Sequence, residues 1–224
     1  MGASTAAFFR VEGTLIARGA CSAAAYFASN AGGFSERARK LGQVALTAPL
    51  YSLLGQSDRV LANRLAYLAL RDMSEDRVAV LAEEYFEGVL RERILQGGVE
   101  LLHNARRDGH RVVLISDGLA QVLELLVAHL RRVDDFVCNR LEFRDGYATG
   151  KLADPVVGGH DSAAWARRYA AEHAIDLSRS VVYAAHGPDL LLMTTVGGAC
   201  AVNPDFTLRR AARQADWPVL DYDV

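Results

Sequence analysis

Charged and hydroxyl-bearing side chains follow three separate apolar runs of the chain. They are Arg10, Glu12, Thr14, Ser116, Asp117 and Asp189. A guanidinium binds anions through several N–H donors, a carboxylate exchanges protons or coordinates a hard metal ion, and a hydroxyl donates to an oxyanion. If the fold brings these side chains together, they form a candidate binding site for an acidic small molecule.

The hydrophobic pattern places those side chains at the ends of predicted strands. Residues 6–11, 111–116 and 181–184 are short apolar runs typical of buried strands, and further strands are predicted at 136–138 and 199–202. Helical patterns separate the strands, so we expect an α/β fold: a parallel sheet of about five strands with helices on both faces. Ligand sites of such sheets lie at the carboxyl ends of the strands, where the three groups of side chains should meet.

A long helical region interrupts this alternation directly after the first strand. From about residue 18 to residue 95 the pattern predicts four helices and no strand, which would form a small bundle. We therefore predict an α/β core made of residues 1–16 and 98–224, with residues 17–97 inserted as a helical cap.

The composition is that of a globular chain and excludes several classes of protein. Of 224 residues, 51% are hydrophobic, and 25 basic residues are balanced by 27 acidic ones, so no basic surface for nucleic acid is expected. Cys21, Cys138 and Cys200 are too few and too far apart for a disulfide framework or a zinc cluster. No apolar run is long enough for a transmembrane segment and no basic signal-peptide start is present, so a cytoplasmic location is expected.

Four segments of the chain follow one another in a recognisable order. They are FFRVEGTL at the first strand, GHRVVLISDG at the second, TGKLADPVVGG with the helix after it, and VVYAAHGPDLLLMTTVGGACAVNPD. With a helical insertion after the first, they resemble the motifs of the haloacid dehalogenase (HAD) superfamily, in its phosphoserine-phosphatase-like branch. The resemblance implies a HAD-like Rossmannoid core and Mg²⁺-dependent hydrolysis of phosphomonoesters, in which an aspartate of the first motif attacks phosphorus.

The chain departs from those motifs at the positions that carry the chemistry. Arg10 stands where the resemblance places the nucleophilic aspartate, and a guanidinium cannot attack phosphorus. Glu12 stands in place of the acid/base aspartate. Ser162 aligns with the family's lysine, and Ala185 aligns with an acidic metal ligand. Lys151, in a hairpin predicted at 141–151, is a possible replacement for that lysine.

These losses together predict a pseudophosphatase, with no catalytic residue, no bound metal and no cofactor, although the family uses Mg²⁺. Such a protein would bind a partner protein or a phosphorylated or acidic small molecule. Two alternatives stay open. The first is an active Mg²⁺-dependent phosphomonoester hydrolase with Glu12 as the base and Lys151 as the cation. The second is a scaffold that acts through the cap.

Several of these side chains also have purely structural interpretations. Arg10 is either an anion receptor or one half of an internal ion pair with Glu12 or Asp189, and the ion pair is favoured because it compensates buried carboxylates. Asp189 could cap the helix that follows it. Thr14 and Ser116 could satisfy backbone groups in their turns.

The predicted cap contains LGQVALTAPLYSLLGQ, in which no residue is charged. The favoured interpretation is a helix buried in the bundle and kinked at Pro49. The alternative is an exposed apolar face that binds a partner protein, a second copy of the chain as a homodimer, or a membrane-associated enzyme.

Overall fold

A computed structural model describes residues 4–17 and 19–222 and contains a six-stranded parallel sheet. The strands of the chain are β1 (Ala6–Arg10), β2 (Arg111–Leu119), β3 (Asp135–Asn139), β4 (Leu141–Arg144), β5 (Tyr147–Leu152), β6 (Val181–Ala184), β7 (Gly198–Val202) and β8 (Val219–Leu220). The sheet order is β3-β2-β1-β6-β7-β8, while β4 and β5 pair as a separate antiparallel hairpin. The predicted α/β class is confirmed, and the sixth strand, β8, was not predicted because two residues show no periodicity.

Nine helices surround the sheet within the described residues. They are α1 (Ala20–Ser29), α2 (Phe34–Leu54), α3 (Arg59–Ala66), α4 (Glu75–Tyr85), α5 (Gln96–Arg107), α6 (Ala120–Leu130), α7 (His160–Glu172), α8 (Leu190–Met193) and α9 (Phe206–Gln214). Helices α1 to α4 lie between β1 and β2 in the chain, and we call them the helical insertion. The domain boundaries at 16/17 and 97/98 stay a prediction. No described helix is long and apolar enough to cross a membrane.

The central strand β1 carries the core on both of its faces. Successive side chains of a strand point to opposite sides, so Phe8 and Phe9 enter different clusters. Phe9 packs with the insertion and α6, whereas Phe8 packs with Ala163 and Ala166 of α7. Because every residue of β1 is buried, the side chain at its carboxyl end, Arg10, is held inside the protein.

One prediction about the insertion is wrong. Helix α2 is not buried in the bundle, because Leu46 and Leu53 are 76% and 74% exposed. Pro49 lies within the helix. The side of α2 that is buried is defined by Lys40, whose ammonium group donates to the carbonyl oxygens of Ala69 and Arg71 at 3.2 and 2.6 Å.

Gly98 allows the first turn of α5 to approach the loop that follows β1. A Cβ atom at this position would overlap the carbonyl oxygen of Thr14. We expect Gly98→Ala to lower the free energy of unfolding by about 2 kcal/mol, because backbone rather than a mobile side chain must move. Urea denaturation measures this. Gly88→Ala is the control, since a Cβ there meets no atom within 4 Å, and equal stability of the two variants would contradict the close approach.

Candidate functional site

The guanidinium of Arg10 lies among three carboxylates at the carboxyl end of β1. Its Nε is 2.8 Å from Asp189 Oδ1, and its Nη2 is 2.9 Å from Asp117 Oδ1 and 3.8 Å from Glu12 Oε2. Its Nη1 donates to the carbonyl oxygen of Ile115 at 3.2 Å. Only 1% of Arg10 is exposed. The favoured internal ion pair therefore exists with Asp189 and, in addition, with Asp117, which the sequence analysis did not name as a partner.

The charges of this cluster shift one another's pKa values. Burial alone would lower the pKa of Arg10, but attraction to Asp117 and Asp189 outweighs burial and raises it. Burial opposes ionisation of Asp117, yet Arg10 and Arg59 hold the pKa of that carboxyl below its usual value. Burial raises the pKa values of Glu12 and Asp189, and repulsion from Asp117 adds to both. The pair of Arg10 with Asp117 is therefore ionised, while Glu12 and Asp189 are the carboxyl groups that lose charge most easily.

Glu12 occupies a cradle of hydrogen-bond donors in the last residues of β2, directly ahead of α6. Its Oε1 accepts from Ser116 Oγ at 2.6 Å and from the backbone N–H groups of Asp117 and Gly118 at 3.1 and 3.2 Å. Converging backbone N–H groups ahead of a helix form a binding place for an anion. Here a side chain of the same chain fills it.

The position of Glu12 gives a prediction for stability against pH. A carboxyl group whose pKa is raised in the folded state stabilises the fold at low pH and loses that contribution as the pH rises through the raised pKa. Glu12→Gln keeps an oxygen in the cradle without the titration. We therefore expect its stability relative to the wild type to increase between pH 4 and pH 8, on the order of 1 kcal/mol. Urea denaturation at each pH measures the difference, and a constant difference would contradict the raised pKa.

One face of α3 and the residue after it converge on Asp117. Arg59 Nε lies 3.5 Å from Asp117 Oδ2, Asn63 Nδ2 donates to Oδ1 at 3.2 Å, and the Tyr67 hydroxyl donates to the Asp117 carbonyl at 3.4 Å. These three residues are spaced by four, which places them on one side of a helix. None of the three was among the predicted site residues. Their spacing shows only that they share a face of the helix, not which part of the protein that face contacts.

The remaining predicted residues lie in different surroundings. The Thr14 hydroxyl donates to the carbonyl oxygen of Arg10. Ser162 and Ala185 are buried, and Ser162 Oγ makes no hydrogen bond. Lys151 is exposed on β5 and lines a separate cleft beside the hairpin, none of whose lining residues belongs to the Arg10 cluster. Lys151 is therefore not placed to replace the family's lysine.

A cavity of about 310 Å³ lies between the helical insertion and the ends of the strands. Its lining residues are Glu12, Gly19, Tyr51, Gly55, Gln56, Arg59, Asp117 and His186. Arg59 supplies its permanent positive charge. His186 Nδ1 faces Asp205 Oδ2 at 3.7 Å. The cavity can admit a small molecule to Glu12 and Asp117, and the cation on its wall favours an acidic one.

The acidic side chains of the cluster offer the oxygen donors that Mg²⁺ prefers. Glu12 Oε2 and Asp189 Oδ2 make no hydrogen bond. However, the Arg10 guanidinium lies against all three carboxylates, and no group of three His, Cys, Asp or Glu side chains in the described ranges is arranged to hold a metal ion. A cation already lies between the carboxylates, so this arrangement does not fit a Mg²⁺ ion in addition.

Curated relatives cover most of the chain. A putative hydrolase of Mycobacterium leprae is 28% identical over 98% of this chain and 73% of its own length. The phosphoserine phosphatase SerB1 of Mycobacterium tuberculosis is 30% identical over 78% of this chain, which spans only 57% of that protein. A Streptomyces azureus protein named for inhibition of morphological differentiation is 31% identical over 97% of this chain and 78% of that protein.

Solved structures show the same fold. A Bordetella pertussis protein of unknown function superposes with a TM-score of 0.83 at 21% identity, covering 98% of this chain and 99% of that one. An apo phosphoserine phosphatase superposes with a TM-score of 0.71 at 17% identity, covering 97% and 93%. At these identities the likeness is one of fold alone.

The sequence model of haloacid dehalogenase-like hydrolases matches residues 7–194, which is most of the chain. This match corrects one expectation. The prediction that no cofactor is involved is wrong, because the haloacid dehalogenase-like hydrolases, including the phosphoserine phosphatases related to this chain, use Mg²⁺. From the order of its motifs, its parallel sheet with a helical insertion and this match, the chain belongs to the haloacid dehalogenase-like hydrolase family, in its phosphoserine-phosphatase-like branch.

Proposed function

We propose that this protein binds a phosphate ester or another acidic small molecule in the cavity beside Arg59 and does not form an aspartyl-phosphate from it. The observation that carries the proposal is the Arg10 guanidinium at the end of β1, held by Asp117 and Asp189 at 2.9 and 2.8 Å. It stands where the resemblance places the attacking carboxylate.

The reaction of the family needs a nucleophile at that position. An arginine stays protonated at any working pH and offers no lone pair to phosphorus. Loss of a nucleophile typically costs a factor of about 10⁴ to 10⁶ in rate. Asp117, which lies nearby, is an unsuitable substitute, because both of its carboxylate oxygens already contact cationic or amide groups of Arg10, Arg59 and Asn63.

Recognition of an acidic ligand does not need that nucleophile. Arg59 borders the cavity and can pair with a carboxylate or phosphate. The Ser116 hydroxyl and the N–H groups of Asp117 and Gly118 form a donor set for one oxyanion, which Glu12 now satisfies. A ligand that displaces Glu12 would meet the same three donors. We therefore infer that binding requires a rotation of the Glu12 side chain.

An active phosphomonoester hydrolase is the second candidate, and the comparisons favour it more directly than the first. Relatives of this chain carry the names hydrolase and phosphoserine phosphatase. In this candidate Glu12, whose pKa is raised by burial, would act as the general base that activates water for direct attack. Arg59 would supply the positive charge, because Lys151 lies in another cleft.

A phosphatase assay separates the two candidates. Purified full-length chain is incubated with phosphoserine and p-nitrophenyl phosphate, each with and without Mg²⁺, beside Arg10→Ala and Glu12→Gln variants. The first candidate predicts the same background rate for all three proteins. Metal-dependent turnover that Glu12→Gln abolishes would establish the second candidate and overturn the first. A contaminating phosphatase would not respond to substitutions in this protein. It would therefore appear as equal activity in all three preparations.

A further inference from the structure

Helix α2 presents one uninterrupted exposed face. From residue 42 onward, the described residues of α2 that are exposed are Gly42, Ala45, Leu46, Pro49, Leu50 and Leu53, and Leu41 just before them is 42% exposed. Their spacings of three and four residues place them on a single side of the helix. Leu46 and Leu53 are about three-quarters exposed and Leu50 is nearly half exposed. Three neighbouring leucines on one helix face are more than the scattered single apolar residues of an ordinary surface.

The opposite side of α2 is fixed to the rest of the insertion. Lys40 is buried, and its ammonium group donates to the carbonyl oxygens of Ala69 and Arg71. These bonds define which side of the helix is turned inward. The leucine face is therefore held outward by the packing of the helix and is not a loose end that would fold back onto the core.

The charges around this face are of opposite sign at its two ends. Residues 41–57 contain no charged side chain. At the end before them, Arg37, Arg39 and Arg71 are exposed. The ion pair of Arg39 with Asp72 at 3.8 Å offsets only one of these charges, so this end is net positive. After residues 41–57, the exposed Asp58 begins α3. This surface is positive at one end, negative at the other, and neutral and apolar between them. Two copies of it placed antiparallel would bring each positive end next to a negative end.

We propose that this face binds a second copy of the chain, with the two α2 helices packed antiparallel about a two-fold axis near residues 47 and 48. In that register Leu53 of each copy faces Gly42 of the other, Leu50 faces Ala45 and Leu46 faces Pro49. Each leucine thus meets a smaller residue, which allows close packing of the helices.

The same register brings the charged ends together. Helix α2 ends at Leu54, so Arg39 lies beside the turn of residues 55–58 of the second copy, which carries the exposed Asp58. A two-fold axis repeats this contact, so two ion pairs flank the apolar centre. A lipid surface would match the leucines but would gain nothing from the acidic end. The charge pattern therefore favours a second copy as the occupant.

The expected dimer is weak. One pair of helices buries less surface than the roughly 1,200 Å² of a standard stable interface. Sedimentation equilibrium of the full chain over a wide micromolar range should show a reversible monomer–dimer equilibrium. Leu46→Glu combined with Leu50→Glu should raise the dissociation constant about a hundredfold, equivalent to about 2.7 kcal/mol. Phe206→Glu is the matched control, since Phe206 is 82% exposed at the start of α9, and it should leave the equilibrium unchanged.

The register has its own test. Ala45→Cys and Leu50→Cys proteins should form a disulfide-linked dimer when mixed under mild oxidation, and far less of it when each is oxidised alone. The proposal is overturned if the wild type stays monomeric throughout, if the double glutamate variant dimerises as well as the wild type, or if the cysteine proteins cross-link equally alone. Sedimentation of monomers with vesicles of phosphatidylcholine and phosphatidylglycerol would likewise overturn it in favour of a lipid surface. Circular dichroism checks that the variants are folded.

Discussion

Replacement of Arg10 by methionine should lower the free energy of unfolding by about 3–5 kcal/mol at neutral pH, because it leaves buried carboxylates without their cation. Arg10 is 1% exposed and touches Asp117 and Asp189 at 2.9 and 2.8 Å. Methionine fills much of the same volume, so the loss reports the missing charge more than a cavity. Urea denaturation followed by circular dichroism measures it.

The pH dependence of that loss identifies its cause. In Arg10→Met, Asp189 loses its cation and Asp117 keeps only Arg59. The pKa of Asp189 should therefore lie above that of the unfolded chain, and the pKa of Asp117 should rise from its lowered value. Such groups stabilise the fold at low pH and lose that contribution as the pH rises. The difference between variant and wild type should therefore shrink as the pH is lowered. A loss that is constant with pH would point to packing instead of charge.

Two further variants test whether charge causes the loss of stability in Arg10→Met. Arg10→Met combined with Asp117→Asn and Asp189→Asn removes three of the five charges and leaves one of each sign, on Glu12 and Arg59. A cluster with no net charge should recover much of the lost stability. Arg209→Ala removes an exposed ion pair with Asp221 and should leave the free energy of unfolding almost unchanged. A triple variant that is no more stable than Arg10→Met alone would contradict the electrostatic explanation.

The sequence predicted those contacts of the site that depend only on which strands are neighbours in the sheet. Arg10 and Asp189 follow strands that turn out to be neighbours, β1 and β6, and the ends of parallel neighbours meet at one edge of a sheet. Their contact could therefore be expected. That Asp117 would turn its carboxylate toward Arg10 could not be derived, because the backbone angles at the end of β2 decide whether that side chain faces the cavity, the solvent or the core.

Contacts between the helical insertion and the sheet could not be predicted from the hydrophobic periodicity of the sequence. Arg59 and Asn63 contact Asp117, which lies more than fifty residues away in the chain, and the amphipathic pattern of α3 shows which residues share a face but not what that face meets. The burial predicted for α2 failed for the same reason. An uncharged helix is apolar whether or not another element covers it, and only the packing of Lys40 reveals which side is turned inward.

Replacement of Glu12 by alanine should convert the donor cradle into an open anion site, with inorganic phosphate binding about a hundredfold more tightly than to the wild type, equivalent to about 2.7 kcal/mol. The Ser116 hydroxyl and the N–H groups of Asp117 and Gly118 now donate to Glu12 Oε1. Without Glu12, the first two would lose this acceptor, and the Gly118 N–H would keep only its bond to Ser116 Oγ at 2.9 Å. Isothermal titration calorimetry measures the change.

The charges around the site should also favour phosphate binding by Glu12→Ala. In the wild type three carboxylates, of Glu12, Asp117 and Asp189, face the two guanidinium groups of Arg10 and Arg59. Removal of Glu12 leaves two of each sign, so an incoming phosphate meets less repulsion. Arg10 Nη2, which lies 3.8 Å from Glu12 Oε2, would border the new site and add a charge-assisted contact.

Glu12→Gln separates this explanation from a simple effect of charge, because it removes the negative charge but keeps an amide oxygen able to fill the cradle. If the cradle is what binds phosphate, Glu12→Gln should bind it little better than the wild type, and Ser116→Ala added to Glu12→Ala should reverse much of the gain. Equal affinities for the Ala and Gln variants would show that charge alone decides, and that the backbone donors behind Glu12 do not form an anion site.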